Sequence, residues 1–421
     1  MPIDKNDIEE EQIHFANVVT TFQQYAAYAL TANNRRRKDI YTLPKADQDL
    51  LIGLGYREKL AEVDKAILAN AAFLNQVVDN PEIFGHDPDD FDDGGENVDG
   101  PTHQLDIFQV SHSQYQGHSH SHSHSHGNHS HSHSTPHSHG SHSDPRKRPY
   151  RPTDSDMDKL RSTIKQFVRD WSEEGKVERD VCYEPMKKAL LDHFGDISAE
   201  EKSTLRVLVP GAGLGRLAWD VAHMGFTCQG NEFSHYMLLA SFFILNRTER
   251  VGEHTLYPYV HSFSNIPNKT AMLRPVSIPD VSPSSLPPGS NFSLVAGDFE
   301  EIYGEEHEEG EPQAGEWNAI LTCFFIDTAK NIVNYLRIIH RILAPGGVWI
   351  NFGPLLWHWE NNSSNDPSVE LDLEEVKELA RQIGFEISNE RTIDTTYTNN
   401  SQSMLGYVYH AAFWTATKKA A

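Results

Sequence analysis

Apolar residues recur at helical spacing over the first part of the chain. Phe15, Val18 and Phe22 belong to one such series, and the pattern predicts helices over Ile13–Leu30 and Lys45–Val78. We place the basic run 35–38 in the connection between these two helices. Residues 1–78 are therefore predicted to form an N-terminal helical region.

A second helical region is predicted after Pro149. Asp154–Trp171 has apolar positions three and four residues apart, with Asp154 or Ser155 as its N-cap. Arg179–Phe194 is predicted to be the next helix. We treat residues 151–200 as a unit that covers one end of the domain that follows.

From residue 201 to 421 short apolar strands alternate with helices. The predicted strands are Leu205–Val209, Thr227–Asn231, Phe292–Ala296, Trp317–Phe324, Val348–Phe352, and two near 385–391 and 406–416. The predicted helices are 215–224, Ser234–Leu245, Ala329–Leu343 and Ser368–Ile383. Such alternation indicates an α/β fold with a mostly parallel sheet covered on both faces. The last two of the seven strands are close enough in sequence to form an antiparallel pair at the edge.

Residues 79–150 interrupt this organisation. Their composition shifts to Asp, Gly and Pro, and the His/Ser repeat between His112 and His142 holds 12 of the chain's 24 histidines. Such a segment has almost nothing apolar to bury, so we expect a disordered linker. Histidine tracts can bind Zn²⁺ or Ni²⁺, but no carboxylate or cysteine fixes a geometry here, and we predict no metal site.

Composition narrows the choice of partners. The chain has 60 acidic and 36 basic residues, a net charge of -24, which argues against nucleic acid and disfavours an anionic membrane surface. Cys182, Cys228 and Cys323 form no CxxC pair, and we find neither a secretory leader nor an apolar run that could span a bilayer. We expect a cytoplasmic protein, and the basic cluster 146–148 leaves the nucleus open.

A glycine-rich turn follows the first predicted strand. Gly211, Gly213 and Gly215 have the spacing G-x-G-x-G, whereas dinucleotide sites have G-x-G-x-x-G. The shorter spacing is typical of Rossmann-like methyltransferases that bind S-adenosylmethionine. The next strand is followed by Glu232, an acid that can accept hydrogen bonds from both ribose hydroxyls. A tight turn that binds no ligand is the alternative interpretation.

Several peptides together resemble the carnosine N-methyltransferase family over about residues 10 to 416. They are Val168–Ser172, Val209–Trp219, Gln229–Glu232, Phe263–Asn265, Leu286–Ser293, Ala296–Phe299, Cys323–Ala329 and Ile350–Leu356. The resemblance implies a seven-stranded Rossmann-like methyltransferase sheet, S-adenosylmethionine as donor, and methylation of the imidazole nitrogen nearer the main chain. The chain departs from the family in the His/Ser tract, in an acidic insertion around 304–311, and at Trp357, where a Tyr is common.

The resemblance also implies a substrate site. Only a neutral imidazole has a free nitrogen lone pair, and a carboxylate that accepts the N–H of its far nitrogen would fix the reactive tautomer. Asp327 follows the fourth core strand and matches the family's substrate-contacting Asp, although it could instead be the N-cap of helix 329–343. His358 matches a residue that contacts the imidazole, with a surface-loop histidine as the alternative. Three tyrosines match residues lining the peptide part of the pocket, with core packing as the alternative: Tyr397, Tyr407 and Tyr409. We expect Tyr407 and Tyr409, two apart on a predicted strand, to share one face.

The remaining matches are on the donor side. Gln166 and Arg169 would fold over the methionine end, and Arg169 could pair with its carboxylate. Asp298 would accept the adenine amino group with Phe299 beside the ring, and Cys323 would form an apolar wall. Arg216 also matches, although a surface arginine on a first helical turn is equally consistent with its position.

Three functions stay open on the sequence alone. The first is methylation of carnosine or a related His-containing dipeptide by a chain that could form a homodimer. The second is methylation of a histidine within a protein, since the reacting ring is the same. The third is a non-catalytic scaffold or a metal buffer that uses the His/Ser tract.

Overall fold

The computed structural model describes residues 5–79, 108–110, 149–304, 314–363 and 366–419, with the side chains of 5–9 and 108–110 left aside. The His/Ser tract, most of the linker predicted over 79–150 and most of the acidic insertion lie outside the described residues.

Three N-terminal helices form the first layer: α1 (Lys5–Tyr41), α2 (Lys45–Gly53) and α3 (Tyr56–Val77). Phe22 of α1 and Leu74 of α3 are fully buried in the same apolar cluster. The prediction that residues 35–38 connect two helices is wrong, because they lie within α1. Nothing between Leu30 and Tyr41 interrupts a helix, and Pro44 is the first residue that does.

Two further helices are confirmed: α4 (Asp154–Trp171) with its predicted bounds, and α5 (Glu173–Phe194) with an earlier start. Thr153, and neither Asp154 nor Ser155, is the N-cap of α4, because its hydroxyl accepts from the Asp156 N–H and Asp156 accepts from the Thr153 N–H. Ser172 caps α5 in a similar way by accepting from the Gly175 N–H at 2.9 Å. The second helix therefore begins six residues earlier than predicted.

The described strands form one large sheet and one small one. They are β1 (Phe108–Val110), β2 (Arg206–Pro210), β3 (Thr227–Glu232), β4 (His254–Leu256), β5 (Val276–Ile278), β6 (Phe292–Ala296), β7 (Trp317–Cys323), β8 (Leu343–Gly353), β9 (Phe385–Thr395) and β10 (Tyr409–Lys418). The large sheet has the order β1-β6-β3-β2-β7-β8-β10-β9. Its parallel core and its antiparallel edge pair β9–β10 are confirmed. The strand β1 pairs parallel with β6 and makes eight strands where seven were predicted.

Helices cover both faces of this sheet. The remaining ones are α6 (Ala199–Thr204), α7 (Arg216–His223), α8 (His235–Asn246), α9 (Lys269–Met272), α10 (Phe299–Tyr303), α11 (Ile332–Ile342) and α12 (Leu373–Ile383). One apolar cluster joins α4, α7 and α8 to the sheet around Trp171 and Phe243, and a second joins α10, α11 and α12 around Trp349 and Leu336. These are the two covering layers that a parallel sheet requires.

The order of the central strands fixes where a ligand can bind. After β2 the chain adds β3 and β6 on one side, and then β7 and β8 on the other. In open α/β sheets a cleft forms at the carboxyl ends of the strands at such a reversal point. Within the described residues, no helix is both long and apolar enough to cross a membrane.

Candidate active site

The glycine turn lies at the carboxyl end of β2, at the reversal point. Gly211, Gly213 and Gly215 have φ values of +66°, +57° and +78°, a region that strains any residue with a Cβ. A Cβ on Gly213 would lie 3.6 Å from Gln166 Nε2 and 3.7 Å from Asp170 Oδ2. The bare backbone therefore leaves a cradle between the turn and α4.

Glu232, at the end of β3, is bonded to this turn. Its Oε2 accepts the Gly213 N–H at 2.8 Å, and its Oε1 accepts the N–H groups of Phe233 and Ser234 at 2.9 and 2.8 Å. Burial raises the pKa of Glu232, and the three N–H donors oppose that shift. The two features that the sequence paired, the glycine turn and the acid, are thus in hydrogen-bond contact.

Gln166 and Arg169 of α4 lie beside the same cradle, and both donate hydrogen bonds to Asp170. Gln166 Nε2 donates to Asp170 Oδ2 at 2.9 Å, and Arg169 Nη1 donates to Asp170 Oδ1 at 3.0 Å and to the Tyr183 hydroxyl at 2.9 Å. Sequence reasoning assigned no role to Asp170, although it lies within the peptide Val168–Ser172. The available signal was the spacing of Gln166 and Asp170, which are four residues apart and therefore lie on one helix face.

The guanidinium of Arg169 is buried but not fully bonded. The residue is 4% exposed, and its Nε and Nη2 have no hydrogen-bond partner among the described residues. Its Nε lies 3.4 Å from Glu178 Oε1. Burial lowers the pKa of Arg169, but Tyr183 and Asp170 outweigh it and hold that pKa above its usual value. A buried cation with unused N–H groups is suited to a carboxylate ligand.

Asp327 lies on the other side of β2, in a turn after β7. It is 3% exposed, its Oδ2 accepts the Leu356 N–H at 3.0 Å, and its backbone carbonyl accepts the His358 N–H at 3.0 Å. Burial raises the pKa of Asp327 to about 7, partly opposed by the Leu356 N–H. The N-cap interpretation of Asp327 is wrong, because α11 begins at Ile332 and Asn331 caps it.

Two of the three predicted substrate tyrosines lie beside Phe324, and the third is exposed. The ring of Phe324 lies 4.8 Å from that of Tyr397 and 5.8 Å from that of Tyr409. Burial raises the pKa of Tyr409, and the nearby negative charge of Asp327 adds to the increase, so the two residues are neighbours. The prediction that Tyr407 shares a strand face with Tyr409 is wrong, because β10 begins only at Tyr409. Tyr407 precedes the strand and is 49% exposed, since Gly406 and the turn before it keep this segment out of the ladder.

Phe324 was missed by sequence reasoning. It has φ of +53°, a strained value for a residue with a side chain, and its N–H donates to the Phe352 carbonyl at 2.8 Å. Its ring lies 5.9 Å from the Arg169 guanidinium carbon, and the Tyr397 ring lies 4.7 Å from the same atom. Phe324 therefore links the donor side to the tyrosine side.

Asp298 and Phe299, the two residues predicted to contact adenine, both contact other residues of the protein. Asp298 caps α10, since its Oδ1 accepts the N–H groups of Glu300 and Glu301 at 2.8 and 3.3 Å. Phe299 is 3% exposed and packs against Phe325 at 5.2 Å between ring centroids. Asp298 keeps a second carboxylate oxygen for a ligand, whereas the ring of Phe299 belongs to the apolar core.

Arg216 also donates its hydrogen bonds to other residues of the protein. Its Nη1 donates to the Asp170 carbonyl at 2.8 Å and to Asp280 Oδ1 at 2.6 Å, and its Nε donates to Asp220 Oδ1 at 2.9 Å. These bonds tie α7 to α4 and to the segment before β6. They account for the residue without a ligand, and its donor-binding role stays a prediction.

Cys323 lies at the site, whereas Trp357 belongs to the apolar core. Burial raises the pKa of the Cys323 thiol, the opposite of what a nucleophilic cysteine requires, and agrees with an apolar wall. Trp357 is 9% exposed and its indole N–H donates to the Leu371 carbonyl at 3.1 Å. The tryptophan that replaces the family's usual tyrosine at this position therefore packs in the core.

Comparisons with known proteins agree with the resemblance. The family model described as Carnosine N-methyltransferase matches residues 146–420. The chain is 50% identical to the mouse Carnosine N-methyltransferase over 264 residues, 62% of this chain and 64% of that protein. It is 34% identical to the Dictyostelium discoideum protein of that name, over 95% of this chain and 75% of the relative. The matched region thus spans just under two thirds of the mouse relative's length.

A solved phosphoethanolamine N-methyltransferase from Haemonchus contortus superposes with a TM-score of 0.32 at 15% identity, covering 61% of this chain and 60% of that one. The score is too low to carry a conclusion. The match to the family model, and the 34% identity to the Dictyostelium discoideum relative over 95% of this chain, do support a conclusion about the family. The chain belongs to the carnosine N-methyltransferase family.

Proposed function

We propose that this chain is an S-adenosylmethionine-dependent N-methyltransferase that methylates the imidazole of carnosine, giving anserine, or of a related His-containing dipeptide. The observation that carries the proposal is the position of two acids. Glu232 ends β3 and Asp327 follows β7, and these are the strands on either side of β2. A donor held at one acid and a ring held at the other would meet above the glycine turn.

The residues of the donor half fit S-adenosylmethionine. Arg169 offers buried N–H groups to a carboxylate, the cradle at Gly213 leaves room beside Asp170 and Gln166, and Glu232 lies where a ribose would be bound. When bound, the donor supplies an electrophilic methyl group on a sulfonium. No phosphate-binding cation is needed at this turn, in agreement with the G-x-G-x-G spacing.

The substrate half can hold a neutral imidazole in one tautomer. Because the pKa of Asp327 is near 7, a large share of the carboxylate is ionised at physiological pH and can accept an N–H. This leaves the nitrogen nearer the main chain with its lone pair free. The ionised Asp327 also stabilises the positive charge that grows on the ring as it is methylated.

Water exclusion is the remaining contribution of the protein. Phe324, Tyr397 and Cys323 line the space beside Arg169 with little polar surface. An in-line displacement gains mainly from positioning and a dry site, and needs no covalent step on the protein. Cytoplasmic location, with the nucleus as alternative, and a homodimer remain proposals.

A methylation assay with labelled donor and a panel of imidazole compounds tests this function. The panel contains carnosine, homocarnosine, free histidine and a peptide with an internal histidine, and products are identified by mass spectrometry. We expect carnosine and homocarnosine to be the best substrates. A chain that methylates only the internal histidine, or no imidazole at all, contradicts the proposal.

A further inference from the structure

Four cations from three helices converge on the loop after β4 that carries His261 and Phe263. They are Arg36 of α1, Lys59 of α3, and Arg161 and Lys165 of α4. The loop contributes Phe263, whose ring centroid lies 3.9 Å from the Arg36 guanidinium carbon and 5.4 Å from Lys59 Nζ. Aromatic faces attract cations, so Phe263 holds two positive groups at one point of the surface.

Most of these charges are not neutralised. Arg161 pairs with Asp158 at 2.8 Å, but Arg36, Lys59 and Lys165 form no ion pair with any described residue. The nearby acid Glu62 binds Lys269 at 2.8 Å, and Asp64 binds Arg37. In a chain of net charge -24, three cations without an ion pair at one place are unexpected unless they bind an anion.

The cations act on one another across this small space. Burial lowers the pKa of Arg36, Lys59 and Lys165, and repulsion from a neighbouring cation adds to each decrease. Asp158 opposes the decrease at Lys165, and Tyr56 opposes it at Arg36. Arg161 and Lys165 are also like charges four residues apart on one helix face, an unfavourable spacing. Asp158 offsets part of the charge on α4, whereas Arg36 and Lys59 form no ion pair with a described residue, and a bound anion would supply their counter-charge.

His261, in the same loop, is not a fifth cation. Its Nε2 lies 2.9 Å from the Tyr25 hydroxyl, and burial together with Arg161, Lys165 and Arg36 lowers its pKa to about 3. The ring stays neutral and fixes the loop to α1. Its contribution is to position Phe263.

The cluster lies beside the predicted substrate pocket. Lys165 is one helical turn from Arg169, and both line a cavity of about 280 Å³ whose other walls include Thr396 and Asn399, next to Tyr397. Three acids also line this cavity, and each already has a basic partner: Glu174 with Arg274, Glu178 with Arg169, and Asp394 with His410. The segment between β9 and β10 also bonds to the loop, since the Met404 N–H donates at 2.8 Å to the carbonyl of Asn265, two residues after Phe263.

We propose that Arg36, Lys59, Arg161 and Lys165 form an anion-binding site at the rim of the substrate pocket, which takes a phosphate or carboxylate group. Arg161 precedes Arg169 by eight residues, about 12 Å along a helix. An extended residue spans at most about 3.6 Å. Two extended residues span about 7 Å, so a dipeptide that lies against Tyr397, beside Arg169, is too short to reach Arg161. The anion is either free in solution or carried on a longer substrate.

Calorimetry with the full chain and inorganic pyrophosphate at constant ionic strength tests the site directly. The double variant Arg36→Gln, Lys59→Gln removes two cluster charges. Its matched control is Arg35→Gln, Lys38→Gln, which removes two exposed charges from α1. We expect pyrophosphate to bind the unmodified chain and the control equally, and the cluster variant about tenfold more weakly. Absent binding, or equal binding by all three proteins, overturns the site.

A second arm identifies the source of the anion and depends on the proposed methyltransferase activity. It compares kcat/KM for β-alanyl-histidine extended by Gly-Asp-Asp with that for its Gly-Lys-Lys twin. An advantage of the acidic peptide that disappears in the cluster variant assigns the anion to the substrate. Equal rates with retained pyrophosphate binding support the site and assign it to a free anion. Pyrophosphate binding without turnover of carnosine refutes the proposed function and leaves the anion site standing.

Discussion

The backbone N–H of His358 donates a 3.0 Å hydrogen bond to the backbone carbonyl of Asp327. This bond joins the loop after β8 to the turn after β7, and the Leu356 N–H adds a second link through the Asp327 carboxylate. The main chain therefore positions both residues assigned to the imidazole. Replacing either side chain should leave the other in place, so their contributions can be measured separately.

We predict that Asp327→Ala lowers kcat for carnosine by about 10²–10³-fold, because the variant loses the acceptor that fixes the tautomer. Donor affinity should be retained, since Asp327 lies across β2 from Glu232. Turnover kinetics and calorimetric titration with the donor measure the two effects. The control is Asn331→Ala, which loses the cap of α11 at a cost of about 1 kcal/mol and should keep its kcat. Undiminished turnover in Asp327→Ala would remove this residue from the mechanism.

The pH dependence of kcat/KM should report two groups. Carnosine must be neutral, with an imidazole pKa of about 6.5, and Asp327 must be ionised, with a pKa of about 7. Both requirements fail as the pH falls, so log kcat/KM should decline with a slope approaching about two below pH 6. In Asp327→Asn only the substrate ionisation remains, and the slope should be about one. Equal slopes in the two proteins would mean that Asp327 does not titrate in catalysis.

Asp327 should also make the fold less stable as the pH rises. Its folded pKa of about 7 exceeds the unfolded value of about 3.9. The folded chain therefore holds that proton more tightly, and stability is lost between about pH 4 and 7. Asp327→Asn removes this loss and should stabilise the fold by roughly 2–4 kcal/mol at pH 8, with little effect at pH 4. Urea unfolding at both pH values measures the difference. A stabilisation independent of pH would show that burial of the charge is not its cause.

Gly213→Ala should separate strain from ligand binding. The φ of +57° strains an alanine, and its Cβ would fill the cradle beside Gln166. We expect a loss of about 1 kcal/mol in stability and a clear loss of donor affinity. The matched control is Gly252→Ala, which has φ of +69° and open space around its Cβ. That variant should lose similar stability and keep its donor affinity. Equal donor affinity in both variants would place the donor elsewhere.

The local pattern of apolar and polar residues was sufficient to predict much of the fold. Phe292–Ala296 is predicted with its observed bounds, because an apolar run between turn residues has few alternatives as a buried parallel strand. Helix starts were less predictable. Thr153 precedes Asp154 and Ser155, which also cap helices well, and the choice depends on which side chain reaches a free N–H. Ser172 is followed by the largely charged run 173–180, which has no apolar pattern to show that α5 has begun.

The site was partly predictable, for a related reason. Glycine and acid at the ends of neighbouring strands meet because parallel strands end at one edge, so the approach of Gly213 to Glu232 follows from topology. The network of Asp170 depends on Tyr183, a residue on another helix, and no periodicity indicates that contact. Tyr407 was misplaced because two tyrosines in alternation resemble a strand even where the ladder has not yet begun.

The position of the transferred methyl group tests the central claim most directly. Carnosine is incubated with the chain and a donor that carries a ¹³C-labelled methyl group, and NMR correlates that methyl with the imidazole protons. A label on the ring nitrogen nearer the main chain is the expected result, because Asp327 is proposed to hold the N–H of the far nitrogen. A label on the far nitrogen, or an unlabelled ring, would contradict it.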